Sequence, residues 1–580
     1  MKIHLKYYFT CLLLVQLNFL NAQNFKLLVS EEDWQQPLKS VDYKNQFANK
    51  EAALKEAAAI ITKVQNKGYL LAYCDTMLTE DQNLKVLVHK GDVFEWAKVG
   101  IGNLNKGLAD KIGFSEQNML HKPVYYKTLV QYFEKILKFY ENNGYPFATV
   151  QLDSVQTDRQ SLSGVLHVEK NKMFKIDSIL IKGNLKLNNG FIEQYYGIKP
   201  GMPYNEEILF GIPQKTRQLP FISEKQEQRV QLSAKSNKLL LFYDKKDASQ
   251  FDGIIGFLPD ASTKKTVLTG DVKLKIVNGI LKRGETFDLE WRRLKSQTQD
   301  FNGRLIYPYI FKTPLGIDYN LKIYRRDTTF IDVNSNIGLQ YYFKGLNYVK
   351  LFYKQRNNNL ISTNGYDLVS TLPDYADVNT SAYGLGLFYE QLDYRINPHK
   401  GLSVTLSAQA GNRQIRKNPK INPAAYDNLL LHAAQYQIEG HMGYYLRLHK
   451  NNVLKLGMQG ATVFANSTIY KNELFRIGGL KTLRGFDEES LFCSSYLIST
   501  VEYRYVYATN ANLFVFCDGA WYENLSNHHY NKDTPFSVGA GISFDTKAGL
   551  LNISYALGNQ LGNGFDARSG KIHFGLTALF

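Results

Sequence analysis

Long apolar runs are missing from this 580-residue chain, since no stretch of roughly 18 apolar residues follows residue 22. This absence excludes ordinary membrane-spanning helices from the rest of the chain. Tryptophan, methionine and cysteine are scarce, with 4, 7 and 4 residues, whereas tyrosine and phenylalanine number 39 and 34. Apolar residues make up 44% and charged residues 21%, which excludes a disordered chain. The tyrosine-rich composition favours many strands with aromatic faces.

A dense basic patch is also missing, although the net charge is +16. The basic residues are scattered through alternating segments, so we expect no nucleic-acid partner. The chain has no Gly-x-Ser-x-Gly sequence, no zinc-ligand spacing, no nucleotide-binding loop and no Cys/His nucleophile arrangement. We therefore expect neither an enzyme nor a cofactor or metal site.

The first 22 residues predict an export signal peptide. Lys2 and Lys6 precede an apolar core over residues 8–20, and Ala22 is a small residue before a cleavage point at Gln23. The apolar core is too short to serve as a dependable membrane anchor. The sequence therefore predicts an exported protein.

Four cysteines allow few covalent constraints. Cys11 lies inside the apolar core of the signal and not at the cleavage point, which argues against a lipoprotein. The mature chain keeps Cys74, Cys493 and Cys517, which cannot all pair with one another. We expect all three to be free, partly buried thiols, with a Cys493–Cys517 disulfide as the alternative.

A repeat organises the first half of the chain. Residues 66–72 (NKGYLLA) return as residues 142–148 (NNGYPFA), each copy directly after a predicted amphipathic helix. A third unit begins near residue 174 and closes with a strand over residues 238–243. Each unit of about 75 residues reads as a strand, two helices and two strands. Three unrelated small α+β domains are the alternative interpretation.

The second half alternates between apolar and polar residues, as in residues 286–292, 401–411 and 571–580. A soluble β-sandwich also alternates, but here the polar faces carry full charges and aromatic residues cluster near strand ends. At roughly 20 residues per strand and loop, the block is long enough for about 16 strands. Because lipid cannot satisfy open sheet edges, we expect a closed barrel whose first strand covers roughly residues 267–277.

One constellation inside this block indicates a site. Residues 475–489 read FRIGGLKTLRGFDEE, a glycine turn followed by Arg484. The later strands offer two acids on their polar faces, Glu502 and Asp518. A loop folded into the barrel would bring the guanidinium to both carboxylates, with bidentate, partly desolvated bonds. The same contacts would also brace the loop against the barrel wall.

These features resemble a known family. The repeated units, and above all residues 181–209, resemble POTRA domains, and GGLKTLRGF is similar to the signature loop of the outer-membrane assembly family that includes BamA and TamA. Three soluble units and this length are closer to TamA. The resemblance assigns site residues to the loop (Gly478, Gly479, Arg484, Gly485 and Phe486), to its acidic partners (Glu502 and Asp518) and to a C-terminal strand signal (Phe574 and Phe580).

The resemblance implies a domain order. We expect a signal peptide at 1–22, a degenerate POTRA-like domain at 23–91, POTRA domains at 92–171 and 172–248, and an outer-membrane β-barrel at 249–580. The fold class is thus α+β POTRA repeats (β-α-α-β-β) followed by an antiparallel transmembrane β-barrel of about 16 strands.

The resemblance also implies a function. It indicates a factor that captures unfolded outer-membrane protein precursors with periplasmic POTRA domains and inserts them through a lateral seam of the barrel. Further expected partners are outer-membrane lipid and periplasmic chaperones or accessory lipoproteins. A two-partner-type secretion transporter, which passes one partner protein through the barrel lumen, is the alternative. Such transporters carry two soluble units behind a plug helix and a proline-rich linker. Residues 24–50 of this chain contain a single proline, Pro37, which counts against this alternative.

Overall fold

The computed structural model describes residues 25–577 except residues 33, 35, 234, 260–265, 296–297, 527–528, 547–548, 563, 565–567 and 569. The predicted signal peptide and Phe580 therefore lie outside the described residues. The chain forms two compact units, one up to Lys175 with Pro203–Glu207, and one of Ile176–Met202 with the chain from Ile208 onward. The domain borders given above stay predictions. In the described part of the chain, no helix has the length and apolar character needed to span a bilayer.

The first unit begins with a small α+β subdomain. Its first and last strands pair in parallel in a sheet of order β2-β1-β4-β3, and helix α1 packs Ala53, Ala57, Ile60 and Val64 into the core. Asn49 caps this helix by accepting a hydrogen bond from Ala52 N at 2.9 Å. The elements are β1 (Phe25–Glu31), β2 (Gln46–Phe47), α1 (Lys50–Gln65), β3 (Tyr73–Glu80) and β4 (Asn83–His89).

A second subdomain of the same unit has the same plan, with three helices between its first strand and its closing hairpin. Its first strand again pairs in parallel with its last, in the order β5-β7-β6. The long amphipathic helix α4 buries Ile136 and Tyr140 against the sheet. The elements are β5 (Glu95–Gly100), α2 (Lys106–Ile112), α3 (Glu116–Met119), α4 (Tyr126–Glu141), β6 (Thr149–Asp158) and β7 (Ser161–Glu169).

The second unit contains a third subdomain with the order β11-β12-β9, in which β9 and β12 are parallel. The hydroxyls of Tyr196, Thr216 and Tyr243 meet in its core at 2.8–3.0 Å. The elements along this stretch are β8 (Lys175–Ile176), β9 (Ser178–Lys182), α5 (Asn189–Tyr196), β10 (Met202–Pro203), α6 (Glu206–Phe210), α7 (Ile212–Arg217), β11 (Ile222–Gln231) and β12 (Lys238–Lys245). The predicted repeat of strand, helices and closing hairpin is confirmed, although the described part of the first subdomain has one helix and the other two subdomains have three each instead of the predicted two.

A large antiparallel sheet follows in the same unit. β28 and β29 pair with different parts of β27, so these two strands together occupy one position in the sheet. Counting each such position as one stave, the described residues form 16 staves, in agreement with the predicted number of about 16. Its strands are β13 (Gln250–Pro259), β14 (Thr266–Val277), β15 (Thr286–Lys295), β16 (Thr298–Tyr307), β17 (Leu315–Arg326), β18 (Phe330–Lys344), β19 (Asn347–Leu360), β20 (Val378–Leu392), β21 (Gly401–Ile415), β22 (His432–His449), β23 (Asn452–Ala465), β26 (Ser495–Ala508), β27 (Ala511–Ser526), β28 (His529–Asp533), β29 (Phe536–Thr546), β30 (Gly549–Asn559) and β31 (Lys571–Thr577). Between β23 and β26 the chain forms a small separate hairpin of β24 (Phe475–Ile477) and β25 (Leu491–Cys493).

The two faces of the sheet differ as the alternation predicts. Val501 and Tyr503 on β26 are exposed on the lipid side, whereas Glu502 between them is buried in the lumen. Along β21, Leu406 is exposed on the lipid side, whereas Arg413, which lies near the end of this strand on its lumen face, is buried. The lumen therefore holds charges that are paired inside the protein.

The sheet is not closed. β13 and β31 stand at its two ends, and no hydrogen-bonded ladder joins them within the strands as described. We call this junction the seam. The first strand is Gln250–Pro259 and not residues 267–277, so that prediction was wrong by one strand. Gly253, Gly256 and Pro259 interrupt the apolar alternation of this strand, and their number hides it in the sequence.

Three long loops pack together at the end of the barrel opposite the third subdomain. Residues 361–377, 416–431 and 466–474 share a hydrophobic core that includes Leu372, Tyr426 and Tyr470. The Asn472 amide donates to Ala376 O at 2.9 Å, which ties the third loop to the first. We call these loops the cap; its third loop reaches the lumen-facing side chains of Arg356 and Arg413 through Asn472 and Glu473.

Candidate functional site

The small hairpin of β24 and β25 carries a loop, residues 478–490, into the barrel; we call it the seam loop. It begins at Gly478 and Gly479, whose φ values of +112° and +97° favour glycine. The Thr482 hydroxyl accepts from Gly478 N at 2.9 Å, and Gly479 N donates to Leu483 O at 3.0 Å. The glycine pair predicted as a turn thus closes the base of the loop.

Arg484 lies between the two acids proposed as its partners. Its Nε and Nη2 donate to the two carboxylate oxygens of Asp518 at 2.8 and 2.7 Å, and Nη1 donates to Glu502 Oε2 at 2.6 Å. The guanidinium carbon lies 3.4 Å from the ring centroid of Phe516, a cation–π contact. The geometry is the bidentate one that arginine and carboxylate prefer.

The remaining oxygens of the two acids also have partners. Arg504 Nε donates to Glu502 Oε1 at 2.7 Å, and Thr500 Oγ1 donates to Asp518 Oδ1 at 2.8 Å. The side chains of Glu502 and Asp518 are 3% and 0% exposed. Removing the guanidinium would leave both charges buried, which costs about 3–5 kcal/mol.

The next two residues rest on the last strands of the sheet. Gly485 N donates to His573 Nε2 on β31 at 3.0 Å, so this nitrogen carries no proton in the bonded state. Gly485 has a φ of +88°, and a Cβ there would lie 2.9 Å from Gly558 N. Phe486 is buried and packs over Gly558 on β30. The loop tip therefore fits only a residue without a side chain at position 485.

The seam loop also contacts strands on both sides of the seam. Toward β31, Asp487 pairs with Lys571 at 2.8 Å. Toward β15, Lys481 approaches Glu290 at 3.9 Å and Glu489 approaches Arg292 at 3.8 Å. The contacts to the last strand are short and those to β15 are long.

Other predicted residues lie apart from this cluster. Phe574 is exposed on β31, and Phe580 lies outside the described residues, so their role as a strand signal stays a prediction. Cys74, Cys493 and Cys517 are all free, and Cys493 is buried beside the base of the seam loop.

Sequence reasoning missed a second buried ion pair, which holds the cap. Arg413 Nε and Nη2 donate to the two carboxylate oxygens of Glu473 at 2.7 and 2.6 Å, and Nη1 donates to Ser467 Oγ at 2.7 Å. The two charged side chains are 0% and 2% exposed. Arg356 extends this network by donating to Asn472 O at 2.7 Å. The available signal was an arginine on the polar face at the end of an alternating strand.

Asp393 lies in the turn between β20 and β21 and binds the backbone of that turn. Asp393 Oδ1 accepts from the backbone N–H groups of Tyr394, His399 and Lys400 at 2.9, 2.9 and 3.1 Å. Burial works to raise the pKa of Asp393, but these N–H groups outweigh it and hold the pKa below its usual value. The ionised carboxylate therefore stabilises this turn.

The family comparison decides the identity of the barrel. The model of the Omp85 superfamily domain matches residues 280–580, which include the seam loop and both of its acidic partners. The chain belongs to the Omp85 superfamily. Its recognition as a relative of BamA and TamA is confirmed, and the POTRA-plus-barrel fold places it in a bacterial outer membrane.

Solved structures of Omp85 proteins share this fold at low sequence identity. CdiB from Escherichia coli has a TM-score of 0.52 and 13% identity over 91% of this chain and 97% of its own. CdiB from Acinetobacter baumannii has a TM-score of 0.52 and 13% identity over 84% and 90%. BamA from Haemophilus ducreyi lacking POTRA domains 1–3 has a TM-score of 0.43 and 14% identity over 83% and 99%. No curated protein matches the chain.

Proposed function

We propose that this Omp85 protein assembles other barrels into the outer membrane through its seam. The observation that carries the proposal is the absence of a ladder between β13 and β31 as described, in a sheet whose other staves are all paired. Unpaired backbone N–H and C=O groups at a sheet edge are a template for another strand. An incoming strand would pair with an edge at the seam and leave sideways into lipid.

The lumen route of a secretion transporter is less favoured. The cap has its own hydrophobic core and the fully buried Arg413–Glu473 pair, and the seam loop occupies the barrel interior. A chain that leaves through the lumen would have to displace both. Opening the seam breaks neither buried pair.

The POTRA domains would receive the client in the periplasm. Each of their sheets ends in an edge strand, such as β3, β6 and β11, to which an unfolded precursor can add a strand. β6 is exposed over most of its length. Chaperones or accessory lipoproteins that deliver precursors would use the same side of the membrane.

Depletion of the protein in its own host tests the class of function. Under the proposal, quantitative profiling of the outer membrane shows loss of many unrelated barrels. Loss of one secreted protein with every barrel intact would assign the chain to secretion instead.

A reversible lock tests the route. Cysteine pairs are scanned along residues 250–253 and 571–575 in a chain without Cys74, Cys493 and Cys517, and each pair is oxidised. The matched control joins Tyr383 and Ala410, which already face each other in a ladder. We expect the seam lock to stop barrel assembly until reductant is added and the control lock to leave it unchanged. Assembly that continues with the seam locked would overturn the proposal.

A further inference from the structure

Two turns on the POTRA side of the barrel expose large apolar side chains. Phe311, in the turn between β16 and β17, is 89% exposed, and Ile280, in the turn between β14 and β15, is 73% exposed. Leu281 is also exposed. Arg283 from one turn donates to Tyr307 at the start of the other at 2.6 Å, which places the two turns side by side.

The backbone of these turns is held in an unusual conformation. Lys282, Tyr309, Phe311 and Lys312 all have φ between +52° and +59°, the left-handed region that residues with a side chain disfavour. Such conformations persist where the surroundings hold them, and they concentrate at functional segments. The strain therefore needs a partner that fixes it.

The third POTRA domain supplies that partner. Asn188 N donates to Lys282 O at 2.7 Å, and the Gln194 amide donates to Lys312 O at 2.7 Å. The ring of Phe191 lies 5.4 Å from that of Tyr309 in an edge-on contact. Helix α5 and the residue before it thus clasp both turns and leave Phe311 and Ile280 uncovered.

Charge and position identify what covers the exposed side chains. Leu305 and Ile317, exposed on the lipid side of β16 and β17, flank the turn that carries Phe311, so this turn adjoins the lipid-facing surface. Lys282, Arg283 and Lys312 stand beside the apolar tips. An apolar tip beside long cationic side chains is typical of insertion at an anionic membrane surface. Protein interfaces, in contrast, are depleted in lysine.

We propose that Ile280, Leu281 and Phe311 insert into the phospholipid leaflet on the POTRA side, with Lys282, Arg283 and Lys312 at the anionic headgroups. The third POTRA domain holds the two turns in the inserting conformation. The inference requires only the membrane barrel and does not rest on the assembly role.

Fluorescence quenching by brominated lipid tests the insertion. The Phe311→Trp variant of the full chain, with Trp291 and Trp521 replaced by Phe, is reconstituted into phosphatidylglycerol or phosphatidylcholine vesicles that carry bromine near the headgroup end of the acyl chains. Leu305→Trp is the lipid-contact control, and Leu368→Trp, an equally exposed apolar residue in the cap, is the water-contact control. We expect quenching of the Phe311→Trp variant close to that of the Leu305→Trp variant, several-fold above the Leu368→Trp variant, and stronger in phosphatidylglycerol.

Quenching no greater than in the Leu368→Trp variant would overturn the proposal and leave the tip to a protein partner. If the Phe311→Trp variant does not fold, Ile280→Trp gives the same measurement from the neighbouring turn. Equal quenching in both lipids would overturn the role of the cationic side chains. No client protein is present, so each outcome is independent of assembly activity.

Discussion

The two sides of the barrel differ in strand length. Strands β18 to β23, opposite the seam, have 14 to 18 residues, whereas β13, β15, β29 and β30 near the seam have 10 or 11. About 9–11 tilted residues are enough to cross a bilayer. The seam side therefore barely spans the membrane, and the far wall extends beyond it to carry the cap.

The charges on the two sides differ as well. On the far wall, Arg413 and Glu473 meet at 2.6 Å with almost no exposure. Beside the seam, Lys273 lies 3.7 Å from Glu290, and both side chains are more than a third exposed. Exposed pairs contribute about 0–1 kcal/mol, while breaking a buried pair costs several times more. We therefore expect the far wall to be the more stable region and the seam to be the place where opening the barrel costs least free energy.

Arg484→Ala is expected to have the largest effect on this contrast. It leaves Glu502 and Asp518 buried without their main partner, and we expect the free energy of barrel unfolding to fall by about 3–5 kcal/mol. Assembly of client barrels should fall with it, because the seam loop loses its anchor. Heat-modifiable electrophoretic migration and outer-membrane profiling measure the two effects.

Arg413→Ala is the matched control on the far wall. It removes an equally buried guanidinium, and stability should fall by a similar amount of about 3–5 kcal/mol. Because the cap and not the seam loop loses its anchor, we expect ion conductance through the lumen to rise while assembly per folded molecule stays normal. Equal loss of assembly per folded molecule in both variants would remove the special role given to the seam loop.

Gly485→Ala comes next in size. Its Cβ would press against Gly558 N at 2.9 Å and adopt a φ of +88°, and we expect a loss of about 1–3 kcal/mol. Gly365→Ala is the control, since its φ is +81° but nothing lies within 4 Å of its Cβ. A stability loss no larger than in that control would mean that the loop tip is not held against the last strands.

Much of this arrangement follows from sequence patterns, but its long-range contacts do not. Period-2 alternation predicted the staves, and the likeness of the Arg484 loop to a family signature identified two acids that the structure places 2.6–2.8 Å from the guanidinium. The contact of Gly485 with His573 joins residues 88 positions apart and leaves no local pattern. Arg413 follows the same alternation as any lumen residue, so only the fold reveals its burial.

His573→Ala should have a smaller effect, confined to the seam. The backbone N–H of Gly485 loses its acceptor, which costs about 1 kcal/mol when water can replace it in part. We expect faster oxidation of the cysteine pairs that lock the seam, or faster exchange of β31 amide hydrogens. His441→Ala on β22, in the far wall, is the control and should leave both rates unchanged. Unchanged rates in the His573→Ala variant would show that the loop does not hold the last strand.

The smallest expected effect is on the pH dependence of stability, and it arises in a turn of the far wall. The pKa of Asp393 is lowered in the folded state, so its ionised form stabilises the turn above the unfolded pKa of about 3.9, and this contribution is lost as pH falls through the lower folded value. Because the side chain is partly exposed, the contribution is about 1 kcal/mol or less. Unfolding midpoints measured from neutral pH to below pH ~3.9 should fall more steeply for the wild type than for Asp393→Asn. Parallel acid profiles for the wild type and Asp393→Asn would therefore mean that the far wall owes nothing to the turn carboxylate.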